Sequence, residues 1–306
     1  MTLRFLTLRL LHAVFVMLAA TLVVFFLIRL TGDPAALLAP PSSTQEDIDL
    51  LRHQLGLDRP LFTQYVEYVD GLLHFDLGES IRFRRPASEL ILERLPATAE
   101  LTIASVVLAL LLSVPLGILS ATREGSMIDA LARTFALLGQ SVPVYWSGIV
   151  GILIFSVILR WLPVSGRTGF ASIILPSATI ALYMTAGLTR LIRSSMLEVL
   201  GQQYIKTAIA KGITRRAVIV GHAFRNALLP VSTVMGLQVG TLLSGAVITE
   251  TVFAWPGIGQ LSTQAVFARD FPLVQAIVFV TSFVLVIINL MVDVAYLYID
   301  PRIRYV

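Results

Sequence analysis

The chain has 306 residues, of which 56% are hydrophobic and only 14% charged, with a mean hydropathy of +0.83. A soluble domain carries about 25% charged residues, so this composition excludes one water-soluble core and indicates an integral membrane protein. The net charge of +4 and pI of 9.6 are assigned to Arg- and Lys-rich cytoplasmic loops rather than to nucleic-acid binding, and the absence of cysteine excludes disulfides and thiolate metal sites.

The first apolar run covers residues 10–30, behind Arg4 and Arg9. It is longer than the roughly 7–15 residues of a signal-peptide core and meets the about 20 needed to cross a bilayer, so it reads as an uncleaved span. Residues 31–96 are more polar and read as a long outer loop with structure of its own. Gly32-Asp33-Pro34 ends the first helix, because proline lacks the N–H donor and fixes φ. Ser43–Leu57 predicts an amphipathic helix capped by Ser43 or Thr44, with Glu46 and Asp47 in its first turn. Tyr65–Phe75 predicts a second.

Apolar runs at 97–121, 134–159, 171–193, 231–249 and 273–298 bring the expected spans to six in one transmembrane domain. Gly117, Gly148, Gly151, Gly236, Gly240 and Gly245 lie within them, where small residues let helices approach closely. Pro115 and Pro143 are expected to kink their spans. Sidedness follows from charge. With both termini inside, the inner segments hold Arg4, Arg9, Arg123, Arg133, the cluster from Arg190 to Arg225, Arg302 and Arg304. The two short outer loops hold only Arg160, Arg167 and Arg269. The arginines of the 31–96 loop do not count against this, since long loops translocate largely regardless of charge.

The most informative segment lies in the inner loop 194–230: Tyr204 to Pro230, a basic island that holds both lysines, Lys206 and Lys211. Ile205, Ala208, Ile209 and Gly212 recur at i, i+3, i+4 and i+7, one face of a short helix, and Gly212 stands where a C-cap glycine would. A second, basic helix from about Thr214 to Leu229 follows, and Pro230 opens the fifth span. The physics leaves two readings open: a helix that fits a groove on a partner, or a basic loop held against anionic headgroups.

Other polar residues near the spans are Glu100, Glu250, and Asn289 with Asp293. Glu250, with Trp255, Pro256 and Gly257 in the turn after it, is a candidate outer gate or receptor contact. The Asn289–Asp293 pair reads as interface or bundle hydrogen bonding. His12, His53, His74 and His222 are scattered, with none pairing with a carboxylate at ligand spacing, so no metal site is expected. No GxxxxGK[ST] and no nucleophile turn occur, which points away from ATP binding or catalysis by this chain.

The pattern Tyr204-x-x-Thr207-Ala208-x-Ala210-Lys211-Gly212, then His222-x-x-Arg225-Asn226-Ala227-x-x-Pro230, resembles the EAA loop of ABC importer permeases in the variant of the dipeptide, oligopeptide and nickel group. The general loop has Glu where Lys206 stands and a shorter gap from glycine to proline, and this chain departs on both counts, as that group does. Gly32-Asp33-Pro34, Leu55-Gly56-Leu57-Asp58 with Pro60, Asp76-Leu77-Gly78, Trp161-Leu162-Pro163, Glu250-Thr251-Val252-Phe253 with Trp255-Pro256-Gly257-Ile258-Gly259, and Asp300-Pro301-Arg302-Ile303-Arg304-Tyr305 are similar to landmarks of its B-type subunit, in the same order.

The resemblance implies an all-α, six-span permease of the type I importer fold, multi-pass in a bacterial inner membrane. It implies that Tyr204, Thr207, Ala208, Ala210, Lys211, Gly212, His222, Arg225 and Asn226 form the surface coupled to an ATP-binding subunit. The implied partners are a second homologous permease, two ATP-binding subunits that hold ATP and Mg, an extracytoplasmic solute-binding protein and membrane lipid. This chain itself carries no cofactor and is not an enzyme. The implied substrates are short peptides, with nickel chelates, glutathione and oligosaccharides as alternatives. A secondary transporter driven by an ion gradient is the alternative of a different class. It would show buried carboxylates in mid-span, where this sequence is almost free of acids.

Overall fold

In lipid every backbone polar group must be satisfied internally, and α-helices do this within one segment. The computed structural model describes residues 3–30, 35–36, 39, 42–54, 56–243 and 246–299, and the side chains of 3–6, 8, 10 and 292–299 lie outside that description. Gly32-Asp33-Pro34, Leu55, Gly245, Asp293 and the Asp300–Tyr305 landmark therefore lie outside the described residues or side chains.

The helices are α1 (Leu3–Leu30), α2 (Gln45–Gln54), α3 (Leu61–Leu73), α4 (Ala87–Thr122), α5 (Met127–Ser141), α6 (Val144–Ile158), α7 (Phe170–Leu200), α8 (Gln203–Ala210), α9 (Arg215–Leu243), α10 (Val247–Val252), α11 (Ile258–Phe267) and α12 (Phe271–Ile299). Five of these are long and apolar enough to cross a membrane, and a sixth crossing arises if the bent pair α5–α6 is one span.

The pair α4–α7 is the densest packing in the molecule. The buried stripe of α4 runs Thr98, Thr102, Ser105, Ala109, Ser113, Gly117 and Ser120, all small, at helical spacing. In lipid the hydrophobic effect does not drive helix pairing, so close approach of small residues must supply the contact. At Gly117 an added Cβ would stand 2.6 Å from Ile192, and at Gly139 one would stand 2.7 Å from Ala186 on the same α7. Gly240 meets α12 equally closely, with Leu285 at 2.7 Å. Around this axis α5 packs on α7, α9 packs on α12, and α1 packs on α12.

Two expected spans differ from the observed ones. The run 134–159 is two helices meeting at 98°. Pro143 causes the break: it has no N–H, and Val142 before it is extended at φ −82°, ψ 124°. By contrast α4 runs through both Pro96 and Pro115 as one helix. The run 231–249 is also divided, since Ala246 is non-helical at φ −77°, ψ 58° ahead of α10. Pro230 does not open the fifth span either. The basic return segment and that span are one helix, Arg215–Leu243, with Pro230 inside it and a π-helical stretch at Val218–Phe224. A second π-helical stretch, Ile152–Ile158, ends α6.

The polar segment after α1 holds the expected pair of helices, the first shorter than expected and the second starting earlier, at Leu61 rather than Tyr65. Thr44 caps α2: its hydroxyl accepts from the Asp47 N–H at 3.3 Å, and its own N–H donates to the Asp47 carboxylate at 2.9 Å. Helix α3 lies on α1 through Phe25, Tyr65 and Tyr68, with Arg29 3.3 Å above the Phe25 ring. Two histidines do meet carboxylates here, His53 with Asp58 at 2.6 Å and His74 with Asp70 at 3.9 Å, which the sequence reading did not foresee. These are surface pairs, and no group of three metal-ligating side chains occurs among the described residues. The His53 hydrogen bond holds the Asp58 carboxyl below its usual range.

Asp270, buried just before α12, pins the end of this segment. It accepts from the Ser80 hydroxyl at 2.5 Å and from the Ile81 and Arg82 N–H groups at 3.2 Å each. Substituting Asp270→Ala strands these donors. The expected outcome is a loss of about 1–3 kcal/mol, seen as faster protease cleavage at Arg82 and Arg84 in detergent-solubilised protein. Unchanged cleavage refutes the anchoring role.

Candidate functional site

The basic island folds around α8. Ile205 and Ala208 are buried against the ends of α4 and α7, in the same core cluster as Ala121, Ile192 and Met196. Gln203, Tyr204, Lys206, Thr207, Ile209, Ala210 and Lys211 are exposed. The expected apolar face is thus split: Ile205 and Ala208 seat the helix, while Ile209 points outward at 59% exposure. Of the residues expected on the coupling surface, Ala208 is the one that the fold buries as part of the seat.

The helix ends in a Schellman motif. The Ile213 N–H donates to the Ala208 carbonyl at 3.3 Å and the Gly212 N–H to the Ile209 carbonyl at 2.9 Å, with Gly212 at φ +78°. A side chain there meets open space but incurs left-handed strain. The return helix is tied to α8 by Asn226, whose amide donates to the Tyr204 hydroxyl at 2.8 Å and to the His222 carbonyl at 2.9 Å. Three predicted residues, Tyr204, His222 and Asn226, therefore meet in one contact. Arg225 beside them is exposed without a role in it.

Sequence reasoning missed the polar node beneath α8. Asp129, 1% exposed, receives Arg193 in a bidentate pair at 2.6 and 3.0 Å. It also accepts from the Ser120 hydroxyl at 2.6 Å and the Gly125 N–H at 3.1 Å. The node joins α4, α5 and α7 at the end of the bundle that carries α8, and Arg215 reaches the last carbonyl of α4, that of Thr122, at 3.4 Å. One signal was available: Ser126-x-x-Asp129, a helix-capping spacing.

At the opposite end of α4 lies the second predicted cluster. Glu250 is fully buried. Its carboxylate accepts from the Thr98 hydroxyl at 2.8 Å and the Gln260 N–H at 2.9 Å. Thr98 also accepts from the Ile258 N–H at 2.8 Å, and the Trp255 indole donates to the Ala97 carbonyl at 2.8 Å. Gly257 is required by contact: a Cβ would stand 2.3 Å from Glu250. Glu250, Trp255 and Gly257 thus brace the turn against α4. Of the residues expected at an outer gate or receptor contact, Glu250 and Trp255 are enclosed at 0% exposure, Gly257 is buried and only Pro256 is half-buried. Glu100 is paired on the surface with Arg167 at 2.7 Å.

A bundle of membrane-length helices with a short helix seated across one end is the architecture of a multi-pass membrane protein. The model of the family described as binding-protein-dependent transport system inner membrane component matches residues 113–305, and the model of its N-terminal segment matches residues 2–102. The chain belongs to this family, the ABC importer permeases, and to its dipeptide and oligopeptide group.

Among its relatives is the dipeptide transport system permease protein DppB of Escherichia coli (strain K12), 41% identical over 93% of this chain and 94% of that one. Another is the glutathione transport system permease protein GsiC of Salmonella paratyphi A, 43% identical over 94% of each. The fold matches the inward-facing MetNI methionine ABC transporter with a TM-score of 0.55 and 19% identity, covering 70% of this chain and 97% of that one. The protein is a multi-pass inner membrane protein.

Two measurements test these contacts. Gly257→Ala drives a methyl into the Glu250 carboxylate and is expected to destabilise by about 1–3 kcal/mol, lowering the melting temperature in detergent; an unchanged melt refutes the brace. Tyr204→Phe removes one hydrogen bond of about 0.5–1.5 kcal/mol and is expected to speed amide exchange across Gln203–Ala210 several-fold. Exchange at the parental rate shows that α8 is held by its apolar seat alone.

Proposed function

We propose that this chain forms half of the translocation pathway of an ATP-driven importer of short peptides. On this reading α8 is the element coupled to a cytoplasmic ATP-binding subunit. The observation that carries the proposal is the construction of α8: seated by Ile205 and Ala208, stopped by Gly212, tied back by Tyr204–Asn226, and exposing Lys206, Thr207, Ala210 and Lys211. A helix held at both ends moves as a rigid body, which is what transmission of a partner's motion requires.

The assembly contains a second homologous permease, two ATP-binding subunits and an extracytoplasmic solute-binding protein. ATP and Mg belong to the ATP-binding subunits, and this chain performs no catalysis. ATP binding closes those subunits, moves α8 and turns the pathway outward; hydrolysis resets it. Peptides are the substrate class supported by the relatives' names, one a dipeptide and one a glutathione permease. Glutathione, itself a short peptide, is the alternative that the second relative favours.

The ion-gradient alternative lacks support in the geometry. Among the described residues the buried acids are Asp129, Glu250 and Asp270, each satisfied by a cation or by donors at the end of a helix rather than lining a mid-span site.

The burial of Ala208 selects the mutations. Ala210→Trp alters only the exposed face of α8 and is expected to cut peptide uptake by proteoliposomes at least tenfold, with roughly equal loss of ATPase stimulation by the loaded binding protein and normal membrane insertion. Gly212→Leu adds about 1–2 kcal/mol of left-handed strain and is expected to do the same. Wild-type uptake by Ala210→Trp overturns the assignment of α8.

A further inference from the structure

Helix α3 lies deeper than a loop in water would. The apolar length of α1 ends at Leu30, and Leu11–Leu30 is 20 residues long. At 1.5 Å per residue that matches the roughly 30 Å of a hydrocarbon core. The Tyr65 hydroxyl of α3 meets the Thr21 hydroxyl at 3.2 Å and donates to the Leu18 carbonyl at 3.3 Å. Those two residues stand about 14 and 18 Å along α1 from Leu30. A tyrosine side chain reaches less than half that far, so the backbone of α3 also lies below the end of the span. Phe25, which packs on both Tyr65 and Tyr68, marks the same level.

The three faces of α3 agree with that depth. Polar groups turned toward α1 are satisfied by the protein, as lipid requires. Gln64 is buried; its oxygen accepts from Arg29 at 2.5 Å, and its amide donates to the Leu57 and Arg59 carbonyls at 3.1 and 2.8 Å. Arg29 also donates to the Phe25 carbonyl at 3.1 Å, which folds its charge back onto protein. A second face is wholly apolar: Phe62, Val66, Val69 and Leu73 recur at i, i+4, i+7 and i+11. Phe62, Val66 and Leu73 are exposed and Val69 is half-buried. The third face carries Thr63, Glu67 and Asp70, all exposed, with Glu67 paired to Arg59 at 2.5 Å. An apolar face beside a charged one is the pattern of a helix that lies in a membrane interface. At the same level α1 itself exposes Leu22, Val23 and Phe26, side chains that a spanning helix gives to lipid.

We propose that α3 is a lipid-embedded helix, and that its apolar stripe is covered by the acyl chains of the leaflet at the Leu30 end of α1. By the arginine distribution this is the outer leaflet. Phe62, Val66, Val69 and Leu73 sit among the chains, while Thr63, Glu67 and Asp70 turn toward headgroups and water. A partner that works from water does not reach a face at this depth. The segment after α1 is therefore fastened twice, to α1 by Gln64, Tyr65 and Tyr68 and to the bilayer by the stripe. Only its polar side remains for a partner outside the membrane. The inference is independent of which solute the transporter carries.

The chain has no cysteine, so single nitroxide labels can be placed along α3 in the assembled transporter, with cysteine-free partner subunits, in liposomes. Labels at Phe62→Cys, Val66→Cys and Leu73→Cys are expected to collide several-fold more often with dissolved oxygen, which concentrates in lipid, than with aqueous chromium oxalate. Labels at Thr63→Cys, Glu67→Cys and Asp70→Cys are expected to show the reverse, so that the preference alternates with the helical period. All six positions are exposed, so the labels replace no buried contact. Chromium oxalate that reaches the stripe as freely as the polar face overturns the proposal by placing α3 in water. Immobilised labels on the stripe that neither reagent reaches overturn it by placing a partner subunit there. Oxygen collisions on the stripe that vanish when loaded binding protein is added overturn it in favour of a receptor contact.

Discussion

The close pairing of α4 with α7 is the constraint on which the rest of the structure depends. Lipid tails are as apolar as leucine, so burying leucines between helices yields little, and the pair is held by near contact of small residues. The stripe from Thr98 to Ser120 makes that contact possible, and Gly117 against Ile192 marks its tightest point. A larger residue in the stripe would separate the helices and detach α5 and α9, which also pack on α7.

The same stripe carries a polar node at each end. Thr98 holds Glu250, and Ser120 holds Asp129. At 1.5 Å per residue these two hydroxyls lie roughly 33 Å apart along α4, close to the roughly 30 Å thickness of a hydrocarbon core. Two carboxylates at that separation sit where a bilayer's boundaries would fall, and each is fully satisfied by the protein. They fasten the re-entering turn at one end and the elbow beneath α8 at the other. One buried cluster runs between them, from Trp255 through Leu188 and Ile192 to Ile205 and Ala208. An interior packed in this way transmits displacement rather than absorbing it.

The sequence made the class and most of the span positions legible, because length and hydropathy alone decide whether a run can cross lipid. The island was legible for a different reason: Ile205, Ala208 and Gly212 obey local rules of helix periodicity and termination. What stayed hidden depends on tertiary partners. Pro143 breaks its span while Pro115 does not break α4, although both lie in apolar runs and only the fold distinguishes them. The join of the return helix to the fifth span was masked by Pro230, which reads as a start but is tolerated inside α9. The Asp129–Arg193 pair joins positions far apart in the chain, so neither residue alone announces the other. Glu250 was legible as unusual. Its role as a brace followed only from the donors that surround it.

The two nodes also explain why the middle of the molecule is neutral. Charge is costly in a low-dielectric interior unless paired and hydrogen-bonded, and the partners for pairing are gathered at the ends of α4. The groove between the start of α6 and the non-helical Ala246 is accordingly lined by apolar rather than ionic side chains. Such a groove offers no ion site through which a gradient could drive uptake. An importer built this way must take direction from outside the groove. Family membership implies a solute-binding protein and an ATPase as partners, and on the reading proposed above α8 is the surface through which the ATPase acts. A neutral middle, fixed carboxylates at the boundaries and a short helix seated across one end are three consequences of the same rule: the membrane interior tolerates polar groups only where the protein itself can satisfy them.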